Sequence, residues 1–451
     1  MKKRVLSFCL LGLLWSGTAS SAALTLDEAV QRSLEHDPRI AEREKLVDAA
    51  RAIIDEALGH RGLMIGANAF IGMTTAKQGN IFEPGSNNVL RRDAYEVDGL
   101  SDWEMLQFQI IKPLYTFGKI DNYARAAQGQ ADVKRGDLRL RRGQTMLEVK
   151  RAYFGYLAAR DVRQMLEDVE KRVMSAQSRV EQWLASGDAN ATQADLFQLQ
   201  AGEAQLRKFI LQARAVEATA AQGLRLLTGL PGNGPLEIAD AHIGPVSGTL
   251  ADKKGLPQLQ QLALQSRPES AQLEAGLRAR RALVAAKRSE AYPDVYAGVV
   301  GVVSYASQRE DQRNPFLYDP FHQYGATPVL GMRWNWQGAV NSAQIANAQA
   351  ELDALEAKSS FAQQGIPFEV AEAYNEFKAL GESVNVLRKG SDAARRWMVA
   401  SYADFEAGVG EGEKVMRALQ AYALNQADYL RTVNDYNMAA AKLEVVTGQY
   451  P

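Results

Sequence analysis

Between Val162 and Trp183 apolar residues recur alternately four and three positions apart: Val162, Leu166, Val169, Val173, Ala176, Val180 and Trp183. That spacing lays them in one stripe along a helix and predicts a coiled-coil seam. The stripe returns in Leu199, Leu206, Ile210, Ala213, Ala220, Leu224 and Leu227, interrupted by Glu203 and Glu217. The pattern predicts a helical hairpin folded at a tip marked by Gly187. No proline falls between Pro113 and Pro231, so the stretch from about Asn122 to Ser186 can form one helix of ~97 Å at ~1.5 Å per residue. Gly129, Gly136 and Gly143 recur every seven residues. Either they let a neighbouring helix approach closely, or the spacing is a coincidence in residues that weaken a helix.

Four other segments alternate with period two: Leu63–Met73, Met105–Leu114, Val295–Tyr305 and Val329–Trp336. In the second, Leu106, Phe108 and Ile110 alternate with Gln107 and Gln109. In the fourth, Leu330, Met332, Trp334 and Trp336 alternate with Val329, Gly331, Arg333 and Asn335. Such alternation predicts strands with one set of side chains on each face. Hairpins over a soluble helical core are the commoner meaning of the pattern. Two features favour a membrane instead: long polar loops (Thr75 to Asp102; Ser307 to Gly325) and lengths near the ~9–11 residues of a tilted bilayer strand.

The chain is written twice. Pro38, Ala41, Arg51 and Ala67 fall on Pro268, Ala271, Arg281 and Ala297. Further along, Gly118 meets Gly338, Ala152-Tyr153 meets Ala373-Tyr374, Gly187 meets Gly408, and Thr228-Gly229 meets Thr447-Gly448. The offset changes only between matched blocks, as insertions in loops require, and an ordered series of this kind indicates duplication. Each half reads as a helix (Leu26 to about Ala57; Leu259 to about Glu290), two strands, then two long helices. The expected organisation is a leader at 1–22, a first repeat at 23–230 with its tip at 187–192, a linker or equatorial segment at 231–258, and a second repeat at 259–451 with its tip at 408–412. Gly229 to Pro257, rich in Gly and Pro, reads as having little regular structure.

Composition then narrows the function. Lys2, Lys3 and Arg4, the apolar run Val5 to Trp15 and Ser20-Ser21-Ala22 have the form of a secretory signal cleaved after Ala22 or Ala23. Cys9, the only cysteine, lies inside it, which leaves the mature chain with no thiol chemistry. No other apolar run approaches the ~20 residues of a membrane helix, and the mean hydropathy of -0.27 is blind to amphipathic strands. A formal charge of -1 gives no field favouring nucleic acid. His36, His60, His242 and His322 are scattered without metal-ligand spacing. Gly408-Val-Gly410-Glu-Gly412 has a phosphate-loop look, but no strand precedes it and no Lys-Ser/Thr follows, so it reads as a hairpin turn. The Arg139 to Arg142 cluster reads as a solvated helix face, and Asn190-Ala-Thr192 matches a glycosylation sequon from which no function is expected. No catalytic constellation or cofactor is expected.

Four strands cannot close a barrel, and open edges are not tolerated in lipid. Two copies would give eight strands around an interior filled by side chains; three would give twelve with room for a conduit. The motifs Leu24-Thr-Leu-Asp-Glu-Ala-Val30 with Asp37-Pro38, Pro293-Asp-Val-Tyr296 before a strand, and Tyr115-Thr-Phe-Gly118 and Trp336-Gln-Gly338 after strands resemble the TolC-like outer-membrane efflux proteins. The Ala-Tyr pairs, glycine tips and terminal Thr-Gly pairs fit the same family, and the resemblance spans nearly the whole mature chain.

The resemblance implies a mainly α protein with a membrane β-barrel portion. It implies a homotrimer with a 12-stranded β-barrel on a 12-helix periplasmic barrel, seated in outer-membrane lipid. A periplasmic adaptor and an inner-membrane pump or type I exporter would be its partners, and small molecules or polypeptide its passive cargo. A soluble periplasmic coiled-coil adaptor is the alternative; it leaves the strands unexplained. In the family, aspartates often follow the second tip glycine and narrow the entrance. Here those positions hold Lys414 and Arg417, and the first repeat offers Asp195 and Gln198. Rings of bases would make the gate neutral to anion-preferring; pairing with Asp195, Glu411 and Glu413 across neighbouring hairpins would remove any selectivity. Gly187, Gly408, Gly410 and Gly412 are the expected tip turns.

Overall fold

A computed structural model describes residues 23–77, 85, 89, 99–187, 192–231, 236–311, 316 and 318–450. The expected leader with Cys9, parts of both long loops, and residues 188–191 of the first tip with Asn190 of the sequon lie outside the described residues. The first half contains α1 (Leu26–His36), α2 (Pro38–Gly59), β1 (Met64–Thr75), β2 (Leu100–Tyr115), α3 (Lys119–Ser186) and α4 (Gln193–Thr228). Then follow α5 (Leu250–Lys253), α6 (Leu256–Ser266), α7 (Pro268–Ser289), β3 (Asp294–Ala306), β4 (Gln323–Arg333), α8 (Gly338–Glu406) and α9 (Gly412–Val446).

Three expectations need correction. Each opening helix, expected in one piece, is interrupted. A residue that precedes proline is pushed out of the helical region, and Asp37 (ψ 112) and Arg267 (ψ 133) both break the chain there. The segment from Gly229 to Pro257 is more regular than expected, since it holds α5 and the start of α6 and Leu24 bridges to Ile238. Finally, β4 begins at Gln323 and ends at Arg333, so Trp334 and Trp336 continue the alternation beyond the strand. Pro328 lies inside β4, an outer strand of the sheet, where proline is tolerated.

The duplication is visible in the backbone. Gly187 and Gly408 turn the two hairpin tips at φ 71 and 78, and Gly229 and Gly448 follow the return helices at φ 67 and 71. All four occupy the left-handed region that glycine enters without cost.

The described residues form two compact units, one drawn from positions 23–38, 142–260 and 369–450, the other from 39–141 and 261–368. In the first, Leu166, Val169, Val173, Ala176 and Val180 are buried with Leu199, Leu206, Ile210 and Ala213 of α4, and Val162 and Trp183 pack at the margins. Met398 and Phe405 of α8 and Val415 and Leu419 of α9 complete the cluster. Burying each valine, leucine, isoleucine, methionine or phenylalanine of this set contributes ~1.5–3 kcal/mol. The carboxylates that interrupt the stripe are not orphaned: Glu217 accepts from Arg163, and Glu203 accepts from Gln177 at 2.9 Å.

In the second unit the glycine spacing has a function. A Cβ on Gly129 would lie 2.8 Å from the carbonyl oxygen of Ala275 on α7, and one on Gly136 would strike the side chain of Gln272. In the first unit, one on Gly143 would strike the ring of Tyr450. The arginine cluster is only partly a solvated face, since Arg139 donates to the carbonyl of Ser266 at the end of α6.

The sheet has the order β1-β2-β3-β4, antiparallel throughout. The central β2–β3 pairing joins the two repeats, and β1 and β4 are left with outer edges.

Candidate functional site

Residues directly opposite in an antiparallel sheet share a face. The registers Ile65↔Ile110↔Val299↔Pro328 and Ala69↔Leu106↔Val303↔Tyr324 therefore define one face. It also carries Ile71, Met73, Phe108, Leu330 and Met332, and it is strongly exposed, with Ile71 at 80% and Leu330 at 76%. On β2 its apolar run is bounded by Glu104 and Lys112, a separation of roughly 27 Å at ~3.4 Å per residue. That matches the ~25 Å apolar band of an outer-membrane barrel.

The opposite face follows Gly66↔Gln109↔Val300↔Thr327 and Asn68↔Gln107↔Val302↔Gly325. Amides, hydroxyls and glycines make up about half of it, interspersed with Phe70, Trp103, Met105, Ile111, Val300 and Val302. Its only strand charges are Asp294 and Arg333, register partners at one end. A face that is apolar over a membrane-sized height, backed by one that carries amides, hydroxyls and glycines among its apolar residues, suits a wall between lipid and water.

A polar cluster sits where the sheet meets α3 and α7. Lys119 pairs with Asp294, and Tyr123 donates to Glu290, which also binds Lys287 at 3.1 Å. Burial pushes the Tyr123 hydroxyl above its usual range, and the Glu290 carboxylate beside it pushes further. Burial opposes the charge on Lys287, but its bonds to Tyr123 and Glu290 outweigh that and leave it raised. Sequence reasoning missed this cluster. Its only advance signal was Asp294 within Pro293-Asp-Val-Tyr296, because its partners lie up to 175 residues away.

At the tips the expected residues are near one another but differently employed. Thr192 and Asp195 cap α4 reciprocally: Thr192 N–H donates to Asp195 at 2.9 Å, and Asp195 N–H donates to Thr192 Oγ1 at 3.2 Å. Asp195 is thus occupied within its own turn, although its Cβ lies 3.6 Å from where a Cβ on Gly412 would stand. Lys414 pairs with Glu411 at 3.4 Å, and Arg417 pairs with Glu413 one helical turn back. Both pairs lie within one hairpin, so the bases are compensated locally. Gln198 is exposed on α4. Gly410 turns tightly, since a Cβ there would lie 2.8 Å from the Phe405 nitrogen.

The histidines do not converge. His36 bonds the Arg32 carbonyl at 2.9 Å, while His242 and His322 each lie 3.4 Å from their own aspartate, Asp161 and Asp319. Among the described residues no cluster could hold a metal ion, and no helix is long and apolar enough to cross a membrane.

The sequence profile of the outer membrane efflux protein family matches residues 29–230 and 259–449. Among solved structures, the outer-membrane channel OprN superposes with a TM-score of 0.74 at 16% identity, over 94% of this chain and 89% of that one. The outer membrane protein VceC from Vibrio cholerae gives 0.73 at 16% identity, over 94% and 96%. The CmeC outer membrane channel from Campylobacter jejuni gives 0.75 at 11% identity, over 100% and 94%. At these identities the likeness is one of fold. No curated relative matches the chain significantly.

Proposed function

The chain belongs to the outer membrane efflux protein family, and from that premise we propose that it is the outer-membrane duct of an export system. Three copies join edge to edge, β4 of one against β1 of the next, and close a 12-stranded barrel whose apolar face meets lipid. The helices of the three copies form a 12-helix tunnel in the periplasm. There the hairpin tips engage a periplasmic adaptor and an inner-membrane pump or type I exporter, and cargo passes without chemistry on the way.

The observation that supports this reading is the four-stranded sheet with its apolar face and two unpaired outer edges. Backbone groups on those edges would each cost several kcal/mol in hydrocarbon unless paired. A soluble coiled-coil adaptor would account for the seam but gives that face no role. The tips form the periplasmic entrance. Their bases, matched by Glu411 and Glu413, make it close to neutral, without the acidic constriction common in the family.

Mass measurement of the detergent-solubilised complex is the test. The expected result is three chains in one particle that runs as an oligomer on unheated gels. A monomer that keeps its full strand content in detergent would overturn the reading.

A further inference from the structure

We infer that the duct contains an oxyanion-binding subsite on the polar face of the sheet, built around Arg333 at its α3 end; this rests on the reading of that face as the channel wall. Arg333 and Asp294 are the only charges that the four strands place on this face. As register partners they could neutralise one another, but Asp294 pairs through Oδ2 with Lys119, its Oδ1 has no hydrogen-bond partner among the described residues, and no ion pair joins it to Arg333. Arg333 has no carboxylate within ion-pair distance among the described residues; it lies instead over the ring of Tyr296, 5.7 Å from its centroid. One positive charge per chain is therefore left uncompensated.

That charge borders a polar cavity of about 280 Å³. The amides of Asn335, Gln337 and Asn341 line it, as do Lys119 and Asp294. Glu290 also reaches the cavity, but its carboxylate is held by Lys287 and by the Tyr123 hydroxyl. The first turn of α8 begins at Gly338, beside these residues, and its free N–H groups carry partial positive charge. A guanidinium with five fixed donors, neutral amides around it and a helix start together suit a phosphate or carboxylate group. The volume admits such a group on a small molecule. It can come as a free ion or as the acidic end of a cargo molecule, and threefold repetition would set three such subsites around the channel.

Equilibrium dialysis of radiolabelled inorganic phosphate against the detergent-solubilised full chain tests this directly. The wild type should retain phosphate. Arg333→Gln should lower its affinity at least tenfold, and Lys45→Gln on a remote helix surface should leave it unchanged. Asp294→Asn releases Lys119 and should tighten binding, a change of opposite sign that no general loss of folding imitates. A wild type that retains no phosphate, an Arg333→Gln variant that binds as well as wild type, or an Asp294→Asn variant with unchanged or weaker binding each overturns the subsite. Phenyl phosphate outcompeting inorganic phosphate would assign the site to cargo; equal competition would assign it to the free ion.

Planar-bilayer recording on the same preparation keeps the two proposals apart. In a salt gradient the wild type should favour chloride over potassium, and Arg333→Gln should reduce that preference about twofold or more. Phosphate retention without conductance would count against the duct and leave the subsite standing. Conductance without phosphate retention would overturn the subsite alone.

Discussion

The carboxylate of Asp161 on α3 accepts the backbone N–H of Ile243 at 2.7 Å, across 82 residues of sequence. Both residues are buried. The neighbouring Arg160 donates to the carbonyls of Asp240 and Ala241 at 2.8 and 2.6 Å, and Asn437 on α9 bonds Val246 N–H and the Gly244 carbonyl, each at 2.9 Å. The segment between the repeats is thus pinned by side chains from both. Asp161→Ala leaves the Ile243 N–H buried without a partner, at a cost of about 1–3 kcal/mol. Limited proteolysis should then cut the segment near residue 243 faster than in wild type, while His242→Ala, at an exposed side chain, should not. Equal cutting in all three proteins would remove Asp161 as the anchor.

Two glycines of α3 should respond to alanine with opposite signs. At Gly129 the new Cβ meets the α7 backbone at 2.8 Å, whereas at Gly155 nothing lies within 4 Å. Gly129→Ala should destabilise by about 1–3 kcal/mol through overpacking. Gly155→Ala should stabilise by about 0.5–1 kcal/mol, because alanine has less freedom to lose in a helix. Melting temperatures moving in the same direction would refute the close approach of α3 and α7.

Acid should loosen the α3–α4 hairpin. Glu167 accepts from Arg214 at 2.8 Å and Arg163 at 2.9 Å. The Arg214 bond, with Arg163 behind it, holds its carboxyl below the usual range against the opposing effect of burial. A carboxylate whose pKa is lower in the folded state adds stability above its unfolded pKa of about 4.3, and that stability fades as pH falls further. The amount is about 1 kcal/mol for pairs this accessible. Glu167→Gln should flatten the loss of melting temperature between pH 6 and pH 3.5, and an unchanged slope would show that other carboxylates dominate.

The entrance should be indifferent to divalent cations. With Lys414 and Arg417 matched by Glu411 and Glu413, wild-type channels should show little block by magnesium added from the tip side. Lys414→Asp with Arg417→Asp puts four carboxylates between positions 411 and 417 of each chain, with Asp195 beside them, and should create that block. Strong block of the wild type, or none in the double variant, would take these residues out of the gate.

Much of this was legible in the chain itself, because the deciding physics was local and repeated. The seam from Val162 to Trp183 needs only the helical period, and Gly187, Gly408, Gly229 and Gly448 mark turns by their own freedom at positive φ. The alternation of Leu106, Phe108 and Ile110 with Gln107 and Gln109 already separated the two faces of β2. Pro38 and Pro268 stood in view, yet the helix breaks before them were not foreseen, since periodicity continues across a one-residue interruption. What only the tertiary structure decided was how distant polar groups share their partners. Arg163 neutralises the Glu217 that interrupts the seam, and Asp161 holds a segment that composition alone rendered as linker. Lys119 takes Asp294 and leaves Arg333 uncompensated. Apolar burial follows a periodic stripe that one element carries within itself, but ion pairs and buried hydrogen bonds need two specific groups within about 3 Å, and the chain writes those groups far apart.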